Sequence, residues 1–552
     1  MFDQGPHVVL RRDGVCLVLK TPEGEMPQVE YWGEDFGITA DESVLNQLDA
    51  MTLKVTPPQE KPDAALRPSL LPQGAEAFAG RPGLEAHRGG RPVFVRWTSV
   101  SASPAAAGGE TEANVLNIVA EDAVNAVKLE LKLSIKKGGL VLVEQTVTNI
   151  DATDDPDADA LTVNWLESTL PMPRRADTLT QFTGRWPLEK QPRTAAMPSG
   201  SVTRECRHGK TSHESPWMFI VSDGEPKWSE GEIWACHLAW SGNQTYLIDN
   251  MPPHEPLIGA GELLGPGETQ LAAGESYTAP QVCFSYSATG LDGMAARFHT
   301  WLRSLPKHVS SPRPFTLNTW EAVYFNHDEA TLKELANRAA AVGVERFVLD
   351  DGWFHERRDD TKGLGDWVVD PEVWPNGLDG IARHVHDLGM QFGLWFEPEM
   401  VNLDSDCARE HPDWILAAPE AVPYREDVSY RTQYTCSIWP IRPPIGMCTT
   451  RWPRLSNSLA STTSSGITIV MSPSRCMTAA TVCMSRPLPA TGCSTISRRN
   501  SRSWRSKAAP PAVRVPTRAF CSMPTASGAP IPTIRATVWT SNATPNSWCL
   551  RK

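Results

Sequence analysis

After Asp427 the chain contains no aspartate and no glutamate. The 125 residues that follow carry 14 Arg and 2 Lys, a net charge of +16, while the first 427 residues carry −28. Seven of the 12 cysteines lie in the same stretch, Ser, Thr, Pro and Arg crowd it, and no apolar periodicity persists for long. A folded core is not expected from such a segment. It reads as a basic arm for nucleic acid or an acidic partner, as a low-complexity tail, or as translation in the wrong frame. The third reading is the one favoured below.

The chain as a whole has 552 residues, of which 41% are hydrophobic, enough to bury sizeable cores in two to four domains or in one large barrel with an appended domain. A net charge of −12 weighs against nucleic acid or an anionic membrane as the main partner. No stretch has the apolar length of a bilayer span, and charges interrupt any apolar core in MFDQGPHVVLRRDG, so neither a membrane segment nor a signal peptide is read. A cytoplasmic protein is expected. The cysteines show no metal-ligand spacing. Tryptophan is abundant, at 20 residues; indoles often floor sugar sites, although most are core.

Residues 1–290 read as β-structure. HVVLRR, VCLVLK, PVFVRWTSV, VKLELKLSI and GLVLVEQTVTNI are strand-like runs, several alternating apolar and polar positions as half-buried antiparallel strands do. Gly- and Pro-rich turns separate them, and a large β-sandwich is expected. LIGAGELLGPGE resembles a phosphate loop only loosely, lacks the Lys-Ser/Thr end, and is read as a turn. GMAARFHTWLRSL, within 291–313, has helical spacing and is read as a linker.

From Pro314 the rhythm changes to strand–helix–strand–helix–strand. DEATLKELANRAAAVGV is helical, with Asp328 as N-cap and Gly343 as stop. RFVLDDGWF and MQFGLWFEPEM are near-continuous apolar strands, which implies parallel pairing. Polar residues cluster just past the strand ends: Trp320 and Glu321, Asp350 and Asp351, Glu397 and Glu399. In a (β/α)8 TIM barrel these positions share one mouth; a doubly wound sheet would also place its site at carboxyl ends. The paired carboxylates can accept hydrogen bonds from sugar hydroxyls, with Trp353 and Trp395 offering apolar faces. The bland alternatives are a helix cap or a divalent-ion ligand. Glu397 and Glu399 flank Pro398, so one is free to face the site and the other an ion pair. His355, His384 and His386 are given no role.

NTWEAVYF, FVLDDGWF, LGDWVVDPEVWPNGL and GMQFGLWFEPEMVNLDSD closely resemble the barrel of glycoside hydrolase family 36 α-galactosidases. NWLESTLPMPRRADTLTQFTGRW, RHGKTSHES and HLAWSGN resemble that family's N-terminal domain. The likeness runs from about residue 5 to 434 with the motifs in family order. It implies a β-sandwich over 1–290, a linker over 291–313 and the first half of a catalytic barrel over 314–434. It further implies hydrolysis of terminal α-galactosides of the melibiose or raffinose type, with no metal or organic cofactor. Asp350 and Asp351 resemble the pair that grips galactose hydroxyls, Trp395 an indole at the same site, Trp320 a pocket wall, and Arg431 the arginine of an R-x-Q-Y/L motif. Relatives form homo-oligomers in which a sandwich loop reaches a neighbour; Gly80–Arg88 (GRPGLEAHR) is read as that loop.

The sequence departs from the family where the chemistry should be. Retaining glycosidases need two carboxylates about 5–5.5 Å apart, one a nucleophile and one an acid/base. The family supplies them as the Asp of K-W-D-x-N-R and the Asp of W-x-S-D, and neither is printed, so no catalytic residue is assigned. Reading each codon from its third base leaves at most four options per position. Under that rule Cys436–Ile441 gives LDLAD, Ser461–Met471 gives DYIKWDHNRD, Trp504–Val513 gives EIESCASGG and Thr525–Ile534 gives RIWGSDSND. All four use one offset and fall in family order, which points to a frameshift between about Asp427 and Cys436. The nucleophile would then be coded across Gly466/Ile467 and the acid/base across Pro530/Ile531. Residues 435–552 are expected to be a non-native tail without a packed core, and the barrel to be cut short after three strands and the start of a fourth. A half-barrel leaves open strand edges and tends to aggregate.

The function expected is therefore that of an α-galactosidase whose printed chain is inactive. The alternatives are a non-enzymatic galactoside-binding protein, a related α-N-acetylgalactosaminidase or galactosyl-transferring enzyme, and a nucleic-acid binder acting through the +16 tail.

Overall fold

A computed structural model describes residues 7–416 with short interruptions, and beyond them residues 436–438 and 468–471. The interruptions are 38–40, 53–66, 77, 105–113, 152–159, 208–210, 212, 214–215, 252–253, 307, 309–311, 398–399 and 413–414. The chain forms two units that divide after His308.

In the first unit, Val127–Lys136 (VKLELKLSIK) turns Val127, Leu129, Leu131 and Leu133 inward and Glu130 and Lys132 outward. This is the period-2 pattern of a strand with one wet face. It pairs antiparallel with Leu140–Asn149 in full register, Val127 opposite Asn149 and Lys136 opposite Leu140. Gly138 and Gly139 make the turn at φ +82 and +71, and a Cβ on Gly138 would strike the Arg297 carbonyl. These strands belong to a ten-stranded antiparallel sheet. A seven-stranded sheet runs Gly200–Cys206, Gln244–Asn250, Leu257–Glu262, Leu161–Pro171, Leu84–Arg88, Arg91–Val93, with Gln270–Leu271 alongside Leu161–Pro171. Gln145 joins the two sheets, donating through Nε2 to Glu167 O (2.9 Å) and Ser168 Oγ (2.6 Å). A separate three-stranded sheet is made by His7–Arg12, Val15–Lys20 and Gln28–Glu34.

Three expectations change here. PVFVRWTSV is not one strand: Arg91–Val93 lies in one sheet and Ser99–Pro104 in the other. The crossing is held by Arg96 N on Asp122 Oδ2 (2.8 Å) and leaves Phe94 79% exposed. LIGAGELLGPGE begins as the fully buried strand Leu257–Glu262 and turns only after it, because Gly259 and Gly261 let Leu161–Pro171 approach closely. A Cβ on Gly261 would sit 2.9 Å from the Leu166 carbonyl. GRPGLEAHR is a loop only in its first half. Leu84–Arg88 pairs with Leu161–Leu166, Leu84 and Ala86 face inward, and the Arg81 guanidinium stacks 3.5 Å over the Trp165 ring.

The helix read as a linker runs Gly290–Ser304 and belongs to the first unit. Leu291, Met294, Phe298 and Trp301 recur at helical spacing and pack against Leu140, Leu142, Ile220, Ile233 and Ala235 of the ten-stranded sheet.

The second unit is built around parallel strands. Thr316–Asn318, Arg346–Leu349, Gln391–Phe396 and Thr468–Met471 lie in that order, each parallel to its neighbour. Helix Glu329–Ala341 follows the first strand, capped by Asp328, whose side chain accepts from Thr331 N (2.7 Å), and the chain leaves it at Gly343, φ +86. Helix Asp379–Asp387 precedes the third strand. Leu332, Phe347, Leu349, Trp353, Ile381, Phe392 and Leu394 share one core. The fourth strand comes from the segment expected to be a non-native tail; its apolar, β-branched run Ile467–Met471 has the composition of a buried parallel strand. Cys436–Ile438 also pairs, antiparallel, with Met400–Val401 and Ile415–Leu416. The rest of 435–552, and with it Arg431 and Glu399, lies outside the described residues. Among the described residues no helix is long and apolar enough to cross a membrane.

Replacing Phe298 by Ala should remove about 3 kcal/mol from the first unit, because the ring is 5% exposed between helix and sheet. A urea titration followed by near-UV circular dichroism would show the earlier midpoint.

Candidate functional site

A strand buried on both faces, such as Arg346–Leu349, can place polar side chains only beyond its end. Asp350 and Asp351 are the first two residues past that end, and they are 6% and 5% exposed. They do not share an environment. Asp350 Oδ1 accepts from Asp351 N (2.7 Å), and Oδ2 accepts from Asn318 Nδ2 at the end of the neighbouring strand. The backbone N–H of Asp350 donates to Thr319 Oγ1 (3.0 Å). Asp351 turns the other way and meets Arg357 in a bidentate pair, Nε to Oδ1 at 2.9 Å and Nη2 to Oδ2 at 2.8 Å. Arg357 is fully buried.

Burial raises the pKa of Asp350 to about 7. Hydrogen bonds from Asp351 N and Asn318 oppose that rise, and the charges of Asp351 and Glu321 add to it. Burial raises Asp351 as well, against the hydrogen bonds and charge of Arg357. The two acids thus have different partners, a neutral amide for one and a guanidinium for the other.

Asn318 holds the wall of the site. Its Oδ1 accepts from Trp320 N (2.8 Å), fixing the start of the turn on which the half-buried Trp320 sits. The Trp320 ring packs edge-on against Tyr324 and Phe325, at 5.2 and 5.0 Å between centroids. Trp395 is at the end of the third strand, 7% exposed, with Trp367 edge-on at 6.1 Å. Trp353 is corrected from a sugar face to a core residue. It is fully buried, its Nε1 donates to Trp395 O (2.9 Å), and Phe354 and Phe396 pack edge-on against it. Glu397 is half-buried one residue beyond the third strand, and Glu321 is exposed.

Neither carboxylate caps a helix among the described residues, and each oxygen of Asp351 accepts one bond from the Arg357 guanidinium. Among the described residues no three His, Cys, Asp or Glu side chains converge as a metal site.

Sequence reading missed Asn318, Thr319, Arg357 and Asn402. Asn318 sits in the quoted NTWEAVYF run, and its position at a strand end was the available signal. Arg357 and Asn402 lie in loops 45 residues apart, and nothing in their spacing joins them.

The pH dependence of stability follows from Asp350. Its folded value of about 7 lies above the ordinary 3.8, so between those values the folded chain holds a proton that the unfolded chain has lost. Its contribution is complete below about pH 4 and is lost as pH rises through about 7. The difference in melting temperature between Asp350→Asn and the parent should therefore move in favour of the variant from pH 4.5 to pH 8.

Comparison with known proteins places these features. Residues 25–272 match the glycosyl hydrolase family 36 N-terminal domain, and residues 276–438 match the melibiase domain. An alpha-galactosidase from Escherichia coli is 39% identical over 357 residues, 64% of this chain and 48% of that relative. Alpha-galactosidase AgaA from Geobacillus stearothermophilus is 38% identical over 242 residues, 43% of this chain and 33% of the relative. The chain spans about half or less of these relatives' length. Among solved structures, the family 36 alpha-galactosidase AgaB from Geobacillus stearothermophilus superposes with a TM-score of 0.70 at 26% identity, over 88% of this chain and 69% of that one. A variant of AgaA in complex with raffinose gives 0.69 at 25% identity, over 84% and 65%.

Proposed function

Over residues 25–438 the chain belongs to glycosyl hydrolase family 36, and from that premise we propose that it takes the terminal galactosyl unit of α-galactosides in the second unit, at the ends of the parallel strands. The observation that carries this is the buried, hydrogen-bonded pair Asp350–Asp351 within the melibiase match. Carboxylate acceptors make hydrogen bonds to hydroxyls about twice as strong as neutral acceptors do. A site built on them rejects a sugar whose hydroxyl is moved, because a buried acceptor is then left unpaired. Trp395 and Trp320 supply apolar surface beside them, and Arg431 is assigned a substrate contact by its motif. That a related enzyme is seen with raffinose supports oligosaccharides of that class as the substrates.

Turnover needs two further acids. The nucleophile of a retaining glycosidase attacks the anomeric carbon, and the acid/base protonates the departing oxygen and then activates water. In the family both acids come from segments that fall after Asp427, where this chain has no carboxylate side chain. The reading is therefore of a galactoside-binding chain that does not turn over, derived from an α-galactosidase by a single frameshift. A cytoplasmic setting accords with the five cysteines among the described residues, all buried thiols, and self-association is carried over from the family.

The test sets two chains side by side, the sequence as printed and one restored in frame from about codon 434. The restored chain should hydrolyse p-nitrophenyl α-galactoside, and the printed chain should bind methyl α-galactoside and release no nitrophenol from p-nitrophenyl α-galactoside. Asp350→Ala in either chain should weaken binding by at least about tenfold. Hydrolysis of melibiose at an ordinary enzymatic rate by the mass-verified printed chain would refute the proposal.

A further inference from the structure

Arg357 stands out in the second unit as a fully buried cation that belongs to no predicted motif role. Its guanidinium spends Nε and Nη2 on the two oxygens of Asp351, and Nη1 on Lys362 O (2.9 Å) and Asn402 Oδ1 (2.9 Å). Asn402 Oδ1 also accepts from Leu364 N (3.0 Å), and Asn402 lies six residues past the third strand. Phe325 and Phe354 lie 5.3 and 5.8 Å from the guanidinium carbon. One side chain therefore bridges the carboxyl end of the strand Arg346–Leu349 to the segment leaving the strand Gln391–Phe396.

A carboxylate has about four lone-pair directions. The bidentate pair uses one on each oxygen, the Gly352 N–H acts on the same carboxylate, and at least one direction is left. We infer that Arg357 is a positioning residue of the sugar site: it fixes the plane of Asp351 so that what is left faces the galactosyl hydroxyls, and it ties that plane to the neighbouring strand end through Asn402. This rests on the reading of the acid pair as the galactosyl site. A buried ion pair alone is weak evidence for a stabilising role, since a desolvated pair often does no better than apolar packing. The fork, by contrast, imposes a plane that an ammonium cannot impose.

The same contact holds Asp351 as an acceptor. Asp350, Asp360 and Arg357 are the charged groups that face it, Glu321 acts on Asp350, and His327 lies against the Asp351 and Tyr324 backbone. Arg357 is the cation among them that lowers the proton affinity of Asp351. Without it Asp351 keeps its proton to higher pH and loses acceptor capacity there.

The experiment titrates methyl α-D-galactopyranoside into the full printed chain and its Arg357→Gln and Arg357→Lys variants, following tryptophan fluorescence from pH 4 to 9. Arg357→Gln should weaken binding at least about tenfold and move the acid limb of the binding profile, which Asp350 shares, to higher pH. Arg357→Lys keeps the charge and should return the limb to the parent position, while affinity stays several-fold below the parent. Far-UV circular dichroism reports whether each variant folds, and if Arg357→Gln does not, Arg357→Lys decides: parental affinity would overturn the inference. Parental affinity and an unshifted limb in a folded Arg357→Gln would overturn it also. A parent that binds no galactoside at all instead removes the functional reading on which it stands.

Discussion

Strand Arg346–Leu349, and strand Gln391–Phe396 past its exposed first residue, are buried on both faces, so polar chemistry falls past their last residues. Parallel pairing then places those ends side by side. Leu349 is in register with Leu394, and Asn318 with Val348, so Asp350, Asn318 and Trp395 converge without any of them being neighbours in sequence. The site is a consequence of strand direction before it is a consequence of any particular side chain.

Burying two adjacent carboxyls costs several kcal/mol for each ion before compensation. The fold meets this cost differently for each. Asp351 is matched by a guanidinium held rigid among Phe325, Phe354 and Asn402. Asp350 has an amide and a backbone N–H and, among the described residues, no cation in contact, and burial raises its pKa to about 7. Two like groups in unlike surroundings take unlike tasks. Asp351 lies under the hydrogen bonds and charge of Arg357, which oppose the rise that burial causes, while burial carries Asp350 to about 7.

Much of this was legible in the chain. Alternation at Val127–Lys136 marked a one-sided strand, Asp328 and Gly343 marked the ends of a helix, and an apolar run stopping at two aspartates marked the strand end that carries the site. What escaped reading depends on contacts between distant segments. Whether Trp353 faces a ligand or the core is decided by Trp395 O, 42 residues on. The strand within GRPGLEAHR is decided by its partner Leu161–Leu166, and that within LIGAGELLGPGE by glycines that admit a close neighbour. Periodicity reports which side of an element is wet, and it cannot report which other element dries it.

The fourth place in the parallel sheet separates shape from chemistry. Pairing beside Gln391–Phe396 asks for an extended, apolar, β-branched run, and Thr468–Met471 supplies one, with Gly393 opposite Thr468 and Phe396 opposite Met471. Backbone hydrogen bonding is indifferent to which side chains such a run carries. Catalysis by a retaining glycosidase is not, since it needs a carboxylate to attack the anomeric carbon, and after Asp427 this sequence has no acidic side chain. On the proposed reading, sugar binding rests on Asp350, Asp351 and the residues that orient them, all before Asp427, and bond cleavage on acids that the family supplies after it.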